Sequence, residues 1–189
     1  MPRQVHYFDR PQRFVTGTVG MPGERAFYLQ AAEGSRVVSV KLEKVQVAVL
    51  ADRLDELLDE VRRRDPESDV PTEAPSGIED SDPLDQPLLE EFRVGTMALA
   101  WDGDEALVVV EAHAVTDEES AAEVEPLSES EDGPDVLRVR LTPAFARAFA
   151  ARARKVVAAG RPPCPLCGLP LDPDGHVCPR QNGHRKVEA

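Results

Sequence analysis

Apolar and polar residues alternate with period two in Val38-Ser-Val-Lys-Leu42 and again in Leu137-Arg-Val-Arg-Leu141. A strand turns successive side chains to opposite faces, so this alternation predicts two half-buried strands. Each follows a Gly-acid turn and an apolar run. Gly23-Glu24 leads into Ala26-Phe-Tyr-Leu29, and Gly103-Asp104 leads into Ala106-Leu-Val-Val-Val110. Upstream of these turns stand Phe14-Val-Thr-Gly17-Thr18 and Phe92-Arg-Val-Gly95-Thr96, which share Phe, Gly and Thr at the same spacing. The period then changes. Val47, Leu50, Ala51, Leu54, Leu57, Leu58 and Val61 recur at i, i+3, i+4, i+7, the apolar stripe of a helix. Phe145, Phe149, Ala150, Ala153, Val156 and Val157 form a second stripe. Thr142-Pro143 supplies that second helix with an N-cap and a first-turn proline.

The pattern predicts an α+β fold with an internally duplicated β-β-β-α body and a small zinc-ribbon-like module at the C-terminus. The first repeat takes residues 1–64 and the second 89–160. An acidic, Pro-rich linker spans 65–88, an acidic loop spans 117–135, and the ribbon-like tail is 161–189. Three strands and one helix bury little surface, so the two halves are expected to share one core. Asp52, Asp55, Glu56, Asp59 and Glu60 mark an acidic outer face on the first helix. Arg147, Arg152, Arg154 and Lys155 mark a basic outer face on the second. That asymmetry can orient the halves or bind partners.

Charge changes the picture in the connections. The chain of 189 residues carries a net −13, with 17 prolines and 30% charged residues. Between Asp65 and Glu91 stand ten acidic residues and no basic one, and between Asp117 and Asp135 nine and again none. Both stretches read as solvated loops, too polar to bury. The excess of acid opposes general binding to nucleic acid or to an anionic membrane. No apolar run approaches the roughly 18–20 residues of a membrane span, and the polar start has no secretory apolar core. A cytoplasmic location is expected.

All three cysteines lie in the tail, as Cys164-Pro-Leu-Cys167-Gly168 and Cys178-Pro179, with His176 and His184 beside them. Cys-x2-Cys with an internal proline and a following glycine has the shape of a zinc knuckle. Three thiols and one imidazole complete the four tetrahedral ligands of a structural Zn²⁺. Clustering at this spacing fits a reducing compartment better than a disulfide framework. Leu169-Pro-Leu171 and His176-Val-Cys178 are expected to pair around the turn Asp172-Pro-Asp-Gly175, carrying Cys178 back to the knuckle. Gln181 stands where such ribbons have a fourth cysteine. Either His176, on the face of Cys178, or His184, after the second knuckle, can close the site.

Several stretches together resemble one actinobacterial family of uncharacterised proteins, described only as a repeat protein or a domain of unknown function. They are Arg3-Gln-Val-His-Tyr-Phe8, Phe14-Val-Thr-Gly-Thr-Val-Gly20, the helix Val47 to Leu58, Gly160-Arg-Pro-Pro-Cys-Pro-Leu-Cys-Gly168 and Cys178-Pro-Arg-Gln-Asn-Gly183. The family pattern Gly-His-x-Cys-Pro-Arg-x-Asn-Gly-Tyr-Arg implies His176 as the fourth ligand. This chain departs from it by carrying His184 in place of Tyr. The resemblance implies no activity.

No P-loop, dinucleotide fingerprint, nucleophile elbow or H-E-x-x-H is present. His6 and His113 are isolated and read as surface or hydrogen-bonded histidines. A non-catalytic module that binds a protein partner is the expectation by elimination. The tail (151–189) has seven basic and three acidic residues, which keeps a nucleic-acid-associated ribbon as the alternative. It has no aromatic residue on which bases could stack. A zinc-thiolate redox sensor and a zinc enzyme with an open metal position are further alternatives.

Overall fold

The computed structural model describes residues 3–116, 133–161, 163–169, 171, 176, 178 and 180. Among them, nine elements follow in chain order. They are β1 (Val5–Asp9), β2 (Arg13–Val19), β3 (Ala26–Glu33), β4 (Arg36–Leu42), α1 (Lys44–Arg64), β5 (Glu90–Asp102), β6 (Leu107–Ala114), β7 (Val136–Leu141) and α2 (Pro143–Ala158). The fold is α+β. Its seven strands form one mixed sheet in the order β1-β7-β6-β5-β4-β3-β2. The succession of three strands and a helix occurs twice, as β2-β3-β4-α1 and as β5-β6-β7-α2.

Each triplet is an antiparallel meander, β2-β3-β4 and β5-β6-β7. The two meanders join through a parallel pairing of β4 with β5. Parallel neighbours need a long crossover, and α1 with the following connection provides it. β1 adds a second parallel pairing, against β7. The sequence pattern did not announce β1. Its inward positions are His6 and Phe8, at 6% and 0% exposure, while Val5 and Tyr7 face out at 43% and 42%. An imidazole inside and a valine outside erase the polarity contrast that marks a half-buried strand.

α1 and α2 pack on one face of the sheet and on each other. The core beneath them is continuous across both triplets, from Phe14, Leu29 and Val40 to Val110, Leu137 and Val139. The predicted stripes form it: Val47, Leu50, Ala51, Leu54 and Leu58 from α1, and Phe149, Ala150 and Ala153 from α2. Phe149 stacks on Phe14 with ring centroids 4.7 Å apart. Thr142 caps α2, its hydroxyl accepting the Phe145 N–H at 3.4 Å.

The charged helix faces meet each other. Arg147 donates to the Pro71 carbonyl at 3.0 Å and pairs with Asp55 and Asp59 on α1. Arg154 pairs with Asp52 and Asp55. Arg147 and Arg152, expected on an exposed face, are therefore buried and half-buried, their side chains 5% and 12% exposed. The carboxylates of α1 and of the linker supply the counter-charge that permits this.

The linker also departs from expectation. Residues 65–89 carry no helix or strand, yet they are pinned to the body. Val70 and Leu84 are buried. Asp80 accepts Arg13 Nε and Arg152 Nη1, both at 2.6 Å. The Asp85 N–H donates to Gln30 at 2.8 Å. Leu84 lies so close to β2 that a Cβ on Gly17 would stand 2.7 Å from its Cγ, so only glycine fits there. Arginines on β2 and α2 make an acidic segment adhere. Of the second acidic stretch, residues 117–132 lie outside the described residues.

Candidate metal centre

α2 ends at Ala158, and the knuckle begins after a short connection through Gly160 and Arg161. The knuckle closes on itself. Gly168 N–H donates to the Cys164 carbonyl at 2.8 Å, and Cys164 N–H donates to the Leu169 carbonyl at 2.7 Å. Gly168 has φ +75°, in the left-handed region where glycine carries no Cβ penalty. This turn brings the Cys164 and Cys167 thiols together. Arg180 donates to the Leu166 carbonyl at 3.0 Å and ties the segment after Cys178 to the knuckle.

Four side chains converge there. One ligand atom from each of Cys164, Cys167, His176 and Cys178 can be chosen so that all lie within 4.8 Å of one another. Cys164 Sγ and Cys178 Sγ are 3.9 Å apart, and Cys167 Sγ is 3.2 Å from His176 Nε2. A sulfur–sulfur bond is about 2.05 Å, so these are free thiols, not a disulfide. With metal–sulfur distances of about 2.3 Å and metal–nitrogen of about 2.0 Å, tetrahedral edges come to roughly 3.8 and 3.5 Å. The donor set and its spacing therefore fit a metal ion.

The protein already prepares one thiol for ligation. The backbone N–H of Cys167 leads in holding the Cys164 thiol below its ordinary range, against the effect of burial. The N–H of Leu166, 3.4 Å from Cys164 Sγ, helps. At Cys167 the Leu169 N–H pulls the same way, but burial and the neighbouring Cys164 and Cys178 thiols outweigh it and push the thiol up. Three crowded sulfurs resist carrying charge together unless a cation stands among them. Cys164 and Cys178 are buried, and Cys167 is partly exposed.

Three of the predicted ligands and His176 are thus in one place. His184, the alternative, and the turn Asp172–Gly175 lie outside the described residues. Leu169, Leu171, His176 and Cys178, the described parts of the expected hairpin, form no strand.

The match of this chain to a family model runs from residue 6 to residue 178, so it takes in the sheet, both helices and all four of these side chains. The chain belongs to the DUF3090 family. DUF3090 is described as a protein of unknown function. No curated protein and no solved structure matches the chain.

A second polar cluster went unread in the sequence. Glu111 on β6 is fully buried and paired with Arg138 on β7 and with His113 Nε2 at 3.0 Å. His113 is also buried, and its Nδ1 has no hydrogen-bond partner. Its only local signal is a Glu-x-His pair inside an apolar strand, which puts both side chains on one face. His6 lies on the helix side of the sheet, 6.2 Å from the Phe92 ring. Among the described residues no helix is long and apolar enough to cross a membrane.

Proposed function

We propose that this member of DUF3090 is a zinc-stapled, non-catalytic interaction or scaffold module of the cytoplasm, acting on a protein partner. Cys164, Cys167, Cys178 and His176 hold the Zn²⁺. The observation that carries the reading is the complete donor set, three thiols and one imidazole within 4.8 Å. Zinc in structural sites takes four N/S ligands, whereas catalytic zinc keeps one position for water or substrate. Bound here, the ion supplies a cross-link in place of a hydrophobic core, with apparent energies of about 10–16 kcal/mol in small fingers. The cluster's donors among the described residues are thiols and an imidazole, with no carboxylate, and such a set favours zinc over harder cations.

Cobalt substitution tests the reading. Native mass spectrometry of protein purified without added metal is expected to show one zinc per chain. The Co²⁺ form is expected to show intense tetrahedral d–d bands and thiolate charge transfer. Added cyanide leaves them unchanged if the site is closed; a shifted spectrum reveals an open position and overturns the structural assignment. His176→Ala is expected to alter the bands, and an unaltered spectrum transfers the fourth ligand to His184. Retention of RNA or DNA at about 150 mM salt, lost when the chain ends at Gly160, would favour a nucleic-acid role instead.

A further inference from the structure

The C-terminus of α1, the N-terminus of α2 and the β5–β6 turn meet around a cleft of about 470 Å³ whose lining includes no residue of the metal centre. That volume lies within the range of ligand pockets, about 300–1,000 Å³. Its floor is apolar: Trp101, the chain's single tryptophan, with Leu57, Val61, Val70 and Pro143. Its rim is acidic. Glu60, Asp65, Glu67 and Asp69 line it, against Arg64 as the lone cation.

The four carboxylates are not equally engaged. Glu60 is held by Arg64 Nε at 2.6 Å and by Arg63. Asp65 accepts the Glu67 N–H at 3.2 Å. Glu67 and Asp69 are exposed, and neither carboxylate joins an ion pair among the described residues. The exposed carboxylates of Glu73 and Glu79 continue the charge along the same linker.

An aromatic floor below unpaired carboxylates suits a cation on an aliphatic stem. The stem covers apolar surface, the ring face attracts the charge, and the carboxylates meet it. A neutral or anionic ligand gains nothing from the rim. The further carboxylates along the linker favour a segment with several cations over a single small one, and the chain's −13 charge attracts such a segment.

We propose that this cleft binds an arginine- or lysine-rich peptide segment of a partner protein, one cationic side chain lying over Trp101 with its charge at Glu67 and Asp69. The inference is independent of the metal: its failure leaves the zinc reading intact, and loss of zinc leaves this cleft in place.

The lone tryptophan makes the site its own reporter. Acetylated, amidated hexa-arginine is titrated into the full chain and the Trp101 emission followed, with a neutral Gly-Ser peptide of equal length as control. A saturable change is expected with the basic peptide only. Affinity is expected to fall about tenfold or more in the Glu67→Gln/Asp69→Asn double variant, and to fall as salt rises. Both substitutions are at exposed positions, and circular dichroism checks that the fold is kept. Three results would overturn the proposal. Labelled peptide binds by anisotropy while Trp101 emission stays constant, which puts it elsewhere on the acidic surface. The double variant binds as tightly as the parent. Tetramethylammonium binds as well as the peptide, which makes the occupant a small cation.

Discussion

At the scale of single residues, His113 shows how burial sets a titration. Loss of solvent lowers its pKa below the usual value of 6.5. Glu111 pulls it upward, but Arg3 and Arg138 reinforce the lowering and the depression prevails. The unfolded chain therefore binds a proton at a higher pH than the folded one. Stability from this group is complete above about pH 6.5 and is lost as pH falls through the folded value. Urea unfolding at pH 7.5 and 5.5 is expected to show a smaller acid loss in His113→Gln than in the parent. His176 is common to both chains and drops out of the difference; superimposable pH profiles would refute this account. Residue-scale chemistry was legible in the tail because three thiols at knuckle spacing have few other uses. The fourth ligand was not, since both histidines are within chain reach of the knuckle. Glu111 was hidden because its partner Arg138 is 27 residues away and becomes adjacent only through the β6–β7 register.

At the scale of elements, Asp80 fastens the linker to a strand and a helix at once. The Arg13 hydrogen bond, chiefly, holds its carboxyl below the usual range, and the same bond raises Arg13. Burial lowers Arg152, marking a cation whose hydration has been replaced by Asp80 and by the Thr16, Asp80 and Asp82 carbonyls. Asp80→Asn leaves two desolvated guanidinium groups without the charge between them. Its expected cost is about 2–4 kcal/mol, below the upper end for buried pairs because both arginines keep some water. The exposed neighbour Glu79→Gln is expected to stay within about 0.5 kcal/mol. Equal urea midpoints for the two variants would show that Asp80 is not the fastener. The helices, β4 and β7 could be read from periodicity, since their apolar positions coincide with the buried faces, and β2, β3, β5 and β6 from apolar runs and the repeated Phe-x-x-Gly-Thr. The path of the linker could not. Ten carboxylates over Asp65–Glu91 read as solvated until Arg13, Arg147 and Arg152, distant in sequence, are placed beside them.

At the scale of the whole molecule, the chain divides by what orders it. The apolar core is continuous through the sheet and both helices, and its last members are Val156 and Val157, packed at the margin. Beyond them, Leu166 and Leu169 are each 49% exposed, so the described part of the tail has little to bury except the thiols of Cys164 and Cys178. A segment with so few apolar contacts needs another source of order, and a metal bound by three thiols and an imidazole is one. The body has its own core. Removing the ion with a strong chelator is therefore expected to raise amide hydrogen exchange sharply after Pro163 and little before Gly160, with the thermal transition of the body retained. Cys164→Ser is expected to give the same pattern without chelator, because it removes a ligand and leaves the core untouched. If chelation instead unfolds the sheet, the tail belongs to the main core, and the division between a self-sufficient body and a metal-dependent tail is wrong.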